Sequence, residues 1–78
     1  MEDKDIRHNI ASLVEEEHRL RGEGLGLSPA GRLRLTELEV ELDRAWDLLR
    51  QREAARDRGE DPNTARERPA GEVESYLQ

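Results

Sequence analysis

Apolar residues near the start of the chain fall at Ile6, Ile10, Leu13, Val14 and Leu20. Steps of three and four place them on one face of a helix, and positions 6, 10, 13, 17 and 20 trace a heptad-type seam. Position 17 on that seam is a glutamate. The pattern predicts a helix over about 4–21. Asp3 or Asp5 can cap its start, where negative charge suits the helix N-terminus. Glu15 with Arg19 and Glu17 with Arg21 are spaced as i,i+4 pairs. Gly22 and Gly24 then end it.

A longer pattern follows at Leu35, Leu38, Leu42, Ala45 and Leu49, and Leu33, Val40, Trp46 and Leu48 widen it into a broad apolar face. Ser28 suits an N-cap, Pro29 the first helical position, and Gly59 the residue just past the end, with Pro62 beyond it. A second helix is predicted over about 29–58, roughly 45 Å long at 1.5 Å per residue. The intervening Gly22-Glu23-Gly24-Leu25-Gly26-Leu27 cannot propagate a helix cheaply. It reads as the turn of an antiparallel hairpin in which Leu20 meets Leu35, Leu13 meets Leu42 and Ile6 meets Leu49. Leu25 and Leu27 would plug the end of the pair, and Glu53 to Arg58 would overhang. The glycines lack the lysine and flanking strand of a phosphate-binding loop.

The hairpin occupies 1–59, and 60–78 forms a tail whose composition predicts an extended or disordered connector. Within it Val73, Tyr76 and Leu77 make one apolar stripe over about 71–77. Two turns are too short to stand alone, so the stripe docks on the hairpin, on a neighbouring chain, or on something else.

Composition sharpens the problem. Of 78 residues 33% are apolar and 41% charged, with no Phe and a single Trp. At roughly 1.5–3 kcal/mol for each large side chain fully buried, the core barely offsets the ordering entropy of so short a chain. Helix two is apolar over more than one stripe, and a single partner helix cannot cover it. The predicted fold is therefore all-α, an antiparallel helical hairpin with a short C-terminal helical segment, paired into a dimeric four-helix bundle. Leu38, Leu42, Trp46 and Leu49 are the expected self-association interface, with Val73, Tyr76 and Leu77 as the docking stripe of the tail. The rival arrangement is a monomer whose tail wraps back over the exposed face.

Charge and residue usage remove several functions. The absence of cysteine excludes disulfide scaffolds, cysteine-based zinc sites and thiol catalysis. No apolar run is long enough to span a membrane, and the acidic start lacks the hydrophobic region of a secretory signal, so the cytoplasm is the expected compartment. A formal net charge of −6 argues against nucleic acid as the main partner. Arg50, Arg52, Arg56 and Arg58 make one locally basic patch, but no aromatic residue interleaves them for stacking on bases. They are expected to complement the helix C-terminus and to pair locally, as Asp47 with Arg50 and Glu53 with Arg56. Ser12, Ser28 and Ser75 suggest no catalytic triad, and no cofactor is implied.

Glu15-Glu16-Glu17-His18 is the sharpest local chemistry. Glu15 and His18 form the Glu-x-x-His step that di-iron carboxylate bundles use twice, and a dimer would supply two copies. Glu17 on the seam needs a partner such as His18, Arg21 or a metal, and Glu37, Glu39 or Glu41 of helix two could add carboxylates. Charge-rich helices also produce this step as a solvated face. His8 near Asp3 and Asp5 is a weaker case.

Asp5-Ile6, Glu15-Glu16-Glu17-His18-Arg19-Leu20, Trp46-Asp47-Leu48-Leu49-Arg50-Gln51-Arg52 and Val73-Glu74-Ser75-Tyr76-Leu77-Gln78 together resemble a family of small actinobacterial proteins bearing a domain of unknown function. The resemblance spans nearly the whole chain. It implies a cytosolic protein from a high-GC genome, consistent with twelve Arg against one Lys, and it brings no activity, cofactor or site residue. The residues point to a non-enzymatic helical protein that forms a homodimer and contacts a protein partner. The alternative is a ferritin-like metal-binding oligomer using Glu15, Glu17 and His18.

Overall fold

Helix two begins where the local chemistry says it should. The computed structural model describes residues 2–24 and 28–77, and side chains as far as Glu74. The readings made at Leu25, Gly26 and Leu27, and for the Tyr76 and Leu77 side chains, lie outside the described residues. The Ser28 hydroxyl accepts the Gly31 N–H at 3.0 Å, Pro29 occupies the first turn, and α2 runs Pro29–Asp57. It ends in a Schellman motif: Gly59 takes φ +75°, its N–H reaches the Arg56 carbonyl at 3.0 Å, and the Glu60 N–H reaches Ala55 at 2.8 Å. Before it, α1 spans Asp3–Gly22. The Asp5 carboxylate accepts the Glu2 N–H at 3.1 Å, which leaves Asp3 for another task.

The two helices are antiparallel, as their cross-links require. Asp3 meets Arg52 and Arg56, Arg7 meets Glu53, Glu16 meets Arg34, and Arg21 meets Glu39. Ile6 and Ile10 of α1 pack with Ala45, Leu48 and Leu49 of α2, and Val14, Leu42 and Ala65 close the edges of that cluster. The end of α2 does not overhang. Asp3 and Arg7 reach it from one side, and a 3-10 turn over Pro62–Thr64 packs on it from the other.

The tail is an extended strip and a short helix, as its sequence predicts. Asp61 accepts the Asn63 N–H at 2.9 Å and starts the 3-10 turn. The extended strip after it is held by side chains of α2. Gln51 donates to the Arg66 carbonyl at 2.7 Å, and Arg44 to the Arg68 carbonyl at 2.9 Å. The chain then enters α3, Ala70–Leu77, which also packs on α2. Val73 is wholly buried there. Polar anchors on α2 and the burial of Val73 together hold the tail against α2.

The result is all-helical among the described residues, with α2 at the centre, flanked by α1 and by the returning tail. Its extents are 46 × 26 × 15 Å, so it is one layer of helices thick. The Cα radius of gyration is 14.5 Å, against about 11.5 Å for a compact domain of this length. The tail widens this layer beside α2 and does not supply a second one. Two broad faces of the layer remain open.

Candidate functional site

The Glu15–His18 segment is built as a charged rail rather than a ligand set. Glu15 and His18 are exposed, and Glu17 is half-buried with Arg21 at 4.0 Å. Arg34 crosses from α2 and grips both oxygens of Glu16, at 2.6 and 2.9 Å. The same guanidinium lies 3.2 Å from Glu37 and 3.8 Å from Glu41, while Glu39 is paired with Arg21 at 3.5 Å. Hydrogen bonding to Arg34 holds the Glu16 carboxyl below the ordinary carboxylate range. The carboxylates of α2 named as candidate ligands are thus answered by arginine. Among the described residues no group of three His, Cys, Asp or Glu is placed to hold a metal. Within one chain Glu15, Glu17 and His18 do not converge on a centre.

The four expected interface residues separate. Leu38 and Leu49 are buried inside the single chain, and Leu42 is half-buried against the core. Docking of α1 and the tail already covers them. Trp46 is different: it is 44% exposed, at the middle of the central helix. Leu33, near the start of α2, is 62% exposed. Val73 of the tail stripe is buried in cis.

The basic patch is divided among different tasks. Arg52 is only 5% exposed. It donates to Asp3 Oδ1 at 2.6 Å, to the Pro62 carbonyl at 3.3 Å and to Asn63 Oδ1 at 3.0 Å, so one side chain joins both ends of the hairpin to the tail. Arg56 donates to the same Asp3 oxygen at 2.7 Å. The guanidiniums of Arg56 and then Arg52 hold the Asp3 carboxyl down at about 2, from an ordinary 3.8. Arg58 turns to Glu60 at 3.0 Å.

Neither of the expected local pairs forms. Asp47, 2% exposed, accepts from Gln51 at 2.9 Å and from Arg68 of the tail at 3.1 Å. Glu53 faces Arg7 across the hairpin. Arg50 has no ion-pair partner among the described residues. Sequence periodicity held one unused signal for this arrangement: the 3-4 seam of α2, carried past Leu49, reaches Arg52. A charge on a buried seam demands a buried partner, and Asp61-Pro62-Asn63 is a turn signature that could deliver one.

Comparison with known proteins adds kinship. A family model described as a protein of unknown function (DUF2630) matches residues 2–78. Relatives include uncharacterised proteins of Mycobacterium bovis and Mycobacterium tuberculosis, each 44% identical over 78 residues, an alignment covering 95% of this chain and 88% of theirs. No solved structure matches the chain.

Proposed function

The chain belongs to this family of unknown function, and we propose that it is a non-enzymatic helical module that self-associates through the Trp46 face and acts by protein contacts. The exposed indole at the centre of α2 carries the reading. Tryptophan is the residue type most enriched at the energetic centres of interfaces, and this one lies on an open face of a layer only 15 Å deep. Half-buried Leu42 stands one turn away on the same helix. The accessible surface, 5361 Å², exceeds the roughly 4,850 Å² expected of a folded monomer of this mass. That excess favours a second copy laid face to face across a two-fold axis near Trp46. Such a pair gives two layers of helices around a larger core.

Sedimentation equilibrium over a concentration series tests this. The expected mass is twice the 9.0 kDa of one chain, and Trp46→Ala returns it to one chain with helical content intact, because a half-exposed side chain contributes little to the fold. A wild-type chain that stays at single-chain mass throughout the series, or a W46A variant that still pairs as tightly, contradicts the assignment.

A further inference from the structure

Beyond the Trp46 face, a cavity opens where the end of α2 meets the strip between the 3-10 turn and α3. Its volume is about 620 Å³, within the range of small-molecule sites. Arg50, Arg58 and Arg68 stand around a floor that includes Ala54, Ala55 and Ala65, and no carboxylate lines it. In a chain of net charge −6, three cations and no anion among the lining residues set this cavity apart.

Two of the three guanidiniums are fixed by carboxylates outside the lining. Glu60 holds Arg58 through Nε and Nη2, at 3.0 and 3.2 Å. Asp47 takes Arg68 Nε at 3.1 Å, and Glu72 lies 3.7 Å from its Nη1. Arg50 is the exception. Its expected partner Asp47 is buried and engaged with Gln51 and Arg68, and no ion pair to Arg50 forms among the described residues. A rim of oriented arginines with one uncompensated charge suits a planar or tetrahedral oxyanion, which the guanidinium fork meets in bidentate fashion. The volume is much larger than an oxyanion alone, which leaves room beside the arginines for whatever carries it.

We propose that this cavity binds a small phosphorylated ligand, with Arg50 as its principal anion contact, Arg58 and Arg68 flanking it, and the body of the ligand over the alanine floor. The site does not rest on self-association: Trp46 is not among the lining residues.

Titration calorimetry on the full chain, at constant ionic strength, tests it with inorganic pyrophosphate, adenosine diphosphate and adenosine. Pyrophosphate and the diphosphate should each bind saturably, one per chain, while adenosine does not. Arg50→Gln should weaken both about tenfold or more, the usual effect of losing a charge-assisted hydrogen bond, with an unchanged melting temperature because Arg50 is exposed. Arg7→Gln, which removes the same charge elsewhere, should leave binding as it was. Tighter binding of the diphosphate than of pyrophosphate would assign the alanine floor to the ligand body; equal binding would assign recognition to the phosphates alone. Failure of both anions to bind saturably to the wild-type chain overturns the proposal. So does a loss in R7Q equal to that in R50Q.

Discussion

Arg52 and Asp3 decide how this small chain holds together. A buried guanidinium is costly unless its donors are satisfied, and Arg52 has three acceptors drawn from two elements. Asp3 in turn receives two arginines on one oxygen. Its carboxyl is displaced from 3.8 to about 2, which corresponds to about 2 kcal/mol of stability in the ionised state. Since the folded value is the lower one, that contribution is present above pH 3.8 and is lost as pH falls toward 2. Asp3→Asn should therefore lower the unfolding free energy at pH 7 by about 2 kcal/mol in a urea titration. The difference between variant and wild type should narrow below pH 3.8 and close at about pH 2 and below. A difference that persists unchanged at pH 2 would mean that charge on Asp3 is not what matters.

Helix three is the element most dependent on its neighbours. Eight residues do not hold a helix alone in water, and α3 stays by virtue of Val73 and the anchored strip before it. Against this, Glu74 is set beside acidic groups of α2. Hydrogen bonding to Asp43, then burial, then the negative charges of Asp43 and Glu39 push the Glu74 carboxyl above its ordinary 4.5, and its Oε1 is buried without a hydrogen-bond partner. Two carboxylates in contact cannot both ionise cheaply.

The sign is opposite to that of Asp3. The docking contribution of Glu74 is complete below pH 4.5 and fades as pH rises through the raised value. Amide exchange in α3, corrected for its intrinsic pH dependence, should be slower near pH 5 than at pH 7, and Glu74→Gln should remove that difference. Equal protection at both pH values in the wild type would dismiss the contact between Glu74 and Asp43.

What was legible at this scale was local. Ser28 and Gly59 act through bonds to residues a few positions away, so their roles can be read from the sequence alone. The anchoring of the tail was not legible, because it depends on Gln51, Arg44 and Asp47 reaching residues fifteen to twenty-four positions later. Composition says only that the tail cannot order itself.

For the molecule as a whole, helical class and an antiparallel first pair followed from the spacing of Ile6, Ile10 and Leu13 against Leu42, Ala45 and Leu49. The candidate site was only partly legible. Apolar spacing named Leu38, Leu42, Trp46 and Leu49 as one surface, yet α1 and the tail between them bury or shield all but Trp46. Deciding which of four apolar positions stays open required knowing how α1 and the tail divide the surface of α2. The Glu-x-x-His step draws no third ligand within one chain among the described residues. The same helix faces carry enough arginine to satisfy each of the α2 carboxylates first considered as ligands.

Self-association through Trp46 is the central claim, and the chain holds a single tryptophan, so its own fluorescence is the most direct report. Emission should shift to shorter wavelength, and acrylamide quenching should fall, as concentration rises from nanomolar to high micromolar. Half-exposed indole passing into a dry interface predicts both changes. Emission and quenching that stay those of an exposed indole over the whole range would contradict the claim, since no interface centred on Trp46 could then have formed.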